Sequence, residues 1–115
     1  MSDNCLFCKI INSEIPANIV AQTEHVLAFR DINPQSPTHI LLIPKKHIAS
    51  SRELNEENIH YLSKIVFLAQ KVAIEEKIMQ DGYRWVINTG DNGGQTVDHI
   101  HLHLMGGRNM SWPPG

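Results

Sequence analysis

Residues 99–105 read HIHLHLM, and the run extends back to Val97 as VDHIHLHLM. Ile100, Leu102 and Leu104 alternate strictly with His99, His101 and His103, the period of a strand with one buried face. The aliphatic set then faces a core and the imidazoles face a cleft or solvent. Side chains along one strand face sit roughly 6.5 Å apart, so a pair at i, i+2 can share a metal but three do not converge on one ion. They suit a groove that holds an extended group such as a phosphate chain. Three of the seven histidines fall in this one stretch, a concentration that a plain solvated face does not require.

Working outward, GDNGGQ at 90–95 is a turn-rich connector into that last strand, and YRWVINT at 83–89 alternates as a strand. Before it lies a long helix, with Leu54 as a staple residue and Asn55 as N-cap. Ile59, Leu62, Val66, Ala69 and Ala73 recur at helical spacing, Ile65 and Val72 widen the stripe, and all are expected in the core. Gly82 marks the far end of the helical region. THILLIP, 38–44, is an apolar run of strand length behind the proline-punctuated loop NPQSP at 33–37. Residues 18–23 and 26–31 suggest two further strands joined by a turn at 23–25, and 7–12 a short helix. The expected fold is α+β: antiparallel strands, one long and one short helix, hairpin connections, and one domain over 1–115 with an irregular tail at 106–115.

Composition narrows the function. Hydrophobic residues make up 42% and charged residues 19% of the 115, with a net charge of −2. No basic run is longer than Lys45-Lys46, which argues against nucleic acid as partner. No apolar run approaches the ~20 residues of a membrane span, and no signal-peptide pattern opens the chain, so a soluble cytoplasmic protein is expected. The two cysteines, Cys5 and Cys8, form one CxxC: a disulfide, a redox pair or half of a zinc site.

Chemistry concentrates in three places. The glycines of NGGQT at 92–96 let backbone N–H groups approach an anion, with Asn88, Gln95 and Thr96 as side-chain donors. The histidines follow at once, and a neutral imidazole is a good nucleophile toward phosphorus. Asp31, between a strand and the proline loop, is able to accept two hydroxyl hydrogen bonds or merely to start a turn. Cys5 and Cys8, with His47 and a triad histidine, supply zinc-type ligands.

HIHLHLM matches in full the pattern His, apolar, His, apolar, His, apolar, apolar. Together with FCKIINSEIPANIV, LAFRDINPQSPTHILLIPKKHI, GYRWVINTGDNGGQTVDHIHLHLMGG and WPPG it resembles the histidine triad superfamily, in its HINT branch of nucleotide-binding proteins. The resemblance implies a five-stranded antiparallel sheet that dimerises into a ten-stranded one. It implies binding of purine nucleotides (AMP, GMP and their phosphoramidates) and hydrolysis of nucleoside 5′-phosphoramidates to the monophosphate and an amine. By the match His101 is the nucleophile, His103 contacts the phosphate and leaving group, His99 supports His101 through its carbonyl, and buried His39 joins the network. Asp31 holds the ribose. Asn88, Gly94, Gln95 and Thr96 surround the phosphate. Leu6, Phe7, Ile10, Ile15, Phe29, Ile32 and Leu41 wall the base pocket, and Trp112 lies near the partner subunit's site. Thr96 stands where close relatives carry Ser, and Asp98, where an aromatic is common, has no assigned role. Members with an N-terminal CxxC bind zinc with two more histidines, here His47 and His99. Catalysis itself is expected to need no cofactor. A dinucleoside polyphosphate hydrolase, a nucleotide-binding module with incidental activity, and a zinc hydrolase using HxH are the competing functions.

Overall fold

The computed structural model describes residues 4–115; the first three residues of the expected domain lie outside the described residues. Helix α1 (Leu6–Ile11) precedes strands β1 (Ile19–Gln22), β2 (Val26–Arg30) and β3 (Thr38–Pro44). Helix α2 (His60–Glu75), β4 (Tyr83–Val86), a one-turn helix α3 (Gly90–Gly93) and β5 (Leu102–Gly106) follow. The five strands make one antiparallel sheet in the order β1-β2-β3-β5-β4. Hairpins join β1 to β2 and β2 to β3. The chain then crosses through α2 to the far edge and returns, so β5 lies between β3 and β4, a crossing that short-connector reasoning does not predict.

Strand pairing explains the two apolar patterns. Ile40 faces Leu104 and Leu42 faces Leu102 across β3 and β5. With Val26 and Ala28 these residues pack on Ile65, Leu68, Ala69, Val72 and Ala73 of α2. On the opposite face Leu27, Phe29, Leu41 and Ile43 meet Phe7 and Ile10 of α1. All seven residues of β3 are buried because both its faces are covered, which is why THILLIP is continuous rather than alternating. Ile65→Val removes one methyl group from this interface and is expected to cost about 1 kcal/mol, read as a fall in Tm of about 4 °C.

Several boundaries depart from the sequence reading. Asn55 caps an isolated turn, its Oδ1 accepting from the N–H groups of Glu57 and Asn58, and α2 proper starts at His60 with Ile59 half-exposed. Leu68, absent from the expected stripe, is core, while Val66 is only partly buried. The helix ends at Glu75, well before Gly82: past the cap at Glu76, Lys77 takes φ 63°, and Ile78 N–H bonds back to the Ala73 carbonyl at 3.1 Å. Strand β4 ends at Val86 rather than at 89. Strand β5 starts at Leu102 rather than at 97 and runs through Gly106, where an added Cβ would lie 2.8 Å from Ile78 Cδ1.

Candidate active site

The three histidines do not share one face as regular alternation predicts. Residues 97–99 bend, with His99 N–H bonded to the Val97 carbonyl and Ile100 N–H to Ile48. The bend turns His99 inward until it is wholly buried, while His101 and His103 keep strand spacing. His101 is buried and His103 half-buried.

Backbone partners fix the protons on each ring. A carbonyl only accepts, so His101, whose Nδ1 lies 2.8 Å from the His99 carbonyl, carries a proton on Nδ1 and a lone pair on Nε2. His39 runs the other way. Gln35 N–H donates to His39 Nδ1 at 3.0 Å, so the His39 proton sits on Nε2. That Nε2 donates to His103 Nδ1 at 2.9 Å, which leaves the His103 proton on Nε2. His103 Nε2 is buried and has no hydrogen-bond partner among the described residues. One ring therefore offers a lone pair and its neighbour, 5.0 Å away between centroids, offers an N–H donor.

Burial keeps these rings neutral. It lowers His101, against smaller opposing effects of the His99 carbonyl and Asp31. It lowers His39, again opposed by Asp31. His103 is pushed down to about 4 by burial and then by His101 and His39. Because the folded rings of His39 and His103 bind a proton less readily than unfolded ones, their contribution to stability is present above about pH 6.5 and is lost as the pH falls from there toward 4. Tm is expected to drop steeply across that window. An unchanged Tm between pH 7 and pH 4.5 contradicts the buried neutral pair.

His101 and His103 line a cavity of about 270 Å³. Leu6, Phe7, Ile10, Ile15, Phe29 and Leu41 form its apolar wall, with Pro16, Ala17 and Val97, which the sequence reading did not name; Arg30, paired with Glu76, also lines it. Phe7 stands edge-on to His101, with ring centroids 5.1 Å apart. Asp31 and Thr96 supply polar atoms. Asp31 Oδ1 accepts from Asn33 N–H at 2.8 Å and its Oδ2 lies 3.5 Å from His39 Nε2, so turn former and site residue are one. Ile32 also borders the cavity but is 100% exposed, at its mouth. Trp112 is 81% exposed and does not line it. Asn88 and Gly94 do not line it either; Gly94 takes φ 84° at the end of α3. Gln95 is committed to its own loop: Nε2 donates to the Ala49 and Val97 carbonyls, Oε1 accepts from Gly90 N–H, and its N–H bonds to the Gly90 carbonyl. A larger polar hollow beside that loop, about 520 Å³, holds Asp98 and Arg52 but none of the triad.

Behind the cavity wall Cys5, Cys8, His47 and His99 bring four ligand atoms within 4.8 Å of one another. His99 Nε2 donates to the Pro44 carbonyl at 2.8 Å, leaving a lone pair on Nδ1. That atom lies 3.2 Å from Cys5 Sγ, 3.5 Å from Cys8 Sγ and 3.2 Å from His47 Nδ1, and Cys8 Sγ is 3.3 Å from His47 Nδ1. Sulfur and nitrogen ligands at tetrahedral corners around zinc lie roughly 3.3–3.8 Å apart, so the donor set fits that ion in type, number and spacing. The carbonyl on His99 Nε2 is the outer partner a ligating imidazole ordinarily has.

The family model of the HIT domain matches residues 12–110. The chain is 52% identical over 112 residues to the 14 kDa zinc-binding protein of Zea mays, covering 96% of this chain and 87% of that one. It is 48% identical over 110 residues to the purine nucleoside phosphoramidase of Escherichia coli (strain K12), covering 96% and 92%. A crystal structure of a HIT family hydrolase from Legionella pneumophila Philadelphia 1 matches with a TM-score of 0.95 at 54% identity, over 97% of this chain and 100% of that chain. With the sheet, the triad and nearly full-length similarity in agreement, the chain belongs to the HIT domain family.

Proposed function

We propose that this HIT-family hydrolase cleaves the P–N bond of purine nucleoside 5′-phosphoramidates through a nucleotidyl intermediate on His101. The observation that carries the reading is the pair of opposite tautomers on one cavity wall, a lone pair on His101 and an N–H on His103. His101 Nε2 attacks phosphorus. The P–N bond breaks, and its electron pair stays with the amine nitrogen, which takes a proton from solvent. His103 is neutral and its Nδ1 is occupied by His39, so it acts as a hydrogen-bond donor to the phosphoryl oxygen or leaving nitrogen rather than as the net source of that proton. Water then attacks phosphorus, the bond to His101 breaks, and the monophosphate leaves. Asp31 holds the ribose, and Phe7, Ile10, Phe29 and Leu41 hold the base. Of the expected phosphate neighbours Thr96 is the one on the cavity, and Gln95 keeps the loop in shape.

Two further features belong to the proposal. Cys5, Cys8, His47 and His99 would hold a structural zinc ion, which cross-links α1 to the triad segment when bound. The single HIT domain would work as a cytoplasmic homodimer. Edge strand β4, with half-exposed Trp85, and the outward face of α2, where Phe67 is 65% exposed, are surfaces a second copy would cover. Among the described residues no helix is long and apolar enough to cross a membrane. The test is AMP release from adenosine 5′-phosphoramidate beside diadenosine tetraphosphate. A kcat/KM at least tenfold higher for the phosphoramidate is expected; preference for the tetraphosphate would install the dinucleoside polyphosphate reading instead.

A further inference from the structure

We propose that zinc in the Cys5–Cys8–His47–His99 cluster and nucleotide in the adjacent cavity bind cooperatively, each tightening the other. The inference rests on the nucleotide and zinc readings above and adds a coupling between the two sites. Both sites grip the same two pieces of chain. Helix α1 and its N-cap carry Cys8 and Cys5 toward the cluster, and Leu6, Phe7 and Ile10 of the helix face the cavity. The irregular segment 96–101 gives His99 to one and Thr96, Val97 and His101 to the other. A second hollow of about 460 Å³, opening over Cys5 and His47, shares Leu6, Thr96 and Val97 with the nucleotide cavity, so the two are separated by single side chains.

Two contacts cross that partition. Phe7 stands edge-on to His99 at 5.9 Å and to His101 at 5.1 Å. The residue whose ring enters the cluster is also the residue whose carbonyl holds the His101 proton, at 2.8 Å. Helix α1 is six residues long, too short to be stable without tertiary anchors, and 96–101 has little regular structure of its own. Tying Cys5, Cys8, His47 and His99 to one ion orders both pieces. A nucleotide that packs on Phe7 and Ile10 and meets His101 needs the same ordering, so that entropy cost is borne once and not twice.

Calorimetric titration of AMP into the whole chain, stripped of metal and zinc-loaded, tests this. The loaded form is expected to bind AMP about tenfold more tightly, and by linkage AMP raises zinc affinity by the same factor, read by competition with a chromogenic chelator. Equal AMP affinity in loaded and folded stripped protein overturns the coupling and leaves the nucleotide reading standing. No AMP binding in either form overturns both. The comparison is made at a temperature low enough for circular dichroism to show the metal-free proteins folded, and is repeated on His47→Gln, which removes the solvent-exposed ligand and spares the core. Measured without zinc, that variant is expected to bind AMP about tenfold more weakly than loaded wild type. An AMP affinity equal to the loaded wild type overturns the proposal.

Discussion

Replacing His101 by alanine is expected to lower kcat for adenosine 5′-phosphoramidate by at least about 10⁴-fold while AMP affinity changes less than about threefold. The asymmetry follows from the geometry. His101 is one ring among more than a dozen residues lining the cavity, so ground-state binding survives its loss. No neighbour replaces its chemistry. The His103 nitrogen without a partner carries a proton and is not a nucleophile in the neutral ring, and the Asp31 carboxylate is engaged by Asn33 N–H and lies beside His39. Among the described residues the Thr96 hydroxyl has no hydrogen bond to a base that would activate it. Rapid quench of wild type with labelled nucleotide is expected to trap label on protein, and the variant to trap none. A variant that retains more than a tenth of wild-type kcat removes His101 as nucleophile.

How the histidines acquire their positions and protonation was only partly legible in the sequence. Alternation at Ile100, Leu102 and Leu104 and the run THILLIP place β5 and β3 correctly, because both patterns are local consequences of which faces are covered. The inward turn of His99 is not local. It depends on the carbonyls of Pro44 and Ile48, more than fifty residues away in sequence, so a period-two reading carries the strand too far back. The metal-type cluster is likewise built from contacts 39 to 94 residues apart, which spacing alone does not reveal; His47 and some triad histidine were candidates from residue type, and family resemblance singled out His99. Gln95 reads as a donor in a glycine-rich loop, yet its amide is consumed by Ala49, Val97 and Gly90, partners no sequence window contains together. The tautomers depend on single backbone groups, Gln35 N–H and the His99 carbonyl, whose placement only the fold decides.

Asp31→Ala is expected to weaken AMP binding about 100-fold and 2′,3′-dideoxy-AMP binding less than about threefold. A carboxylate offers about four lone-pair sites, of which one is taken by Asn33 N–H and another faces His39, leaving room for two ribose hydroxyls. Hydrogen bonds to a charged acceptor contribute about 1.5–3 kcal/mol each, so losing two accounts for a change of that size even after desolvation of the carboxylate is counted. The same substitution also removes the Asx turn at Asn33 and a charge beside His39. Those losses disturb the loop and the relay whichever sugar is bound, and therefore fall equally on the two ligands. The ratio of the two affinity changes isolates the ribose contact from the structural one. A ratio near unity, with both ligands weakened alike, assigns Asp31 to the turn and the His39 relay and leaves ribose recognition to other atoms of the cavity mouth.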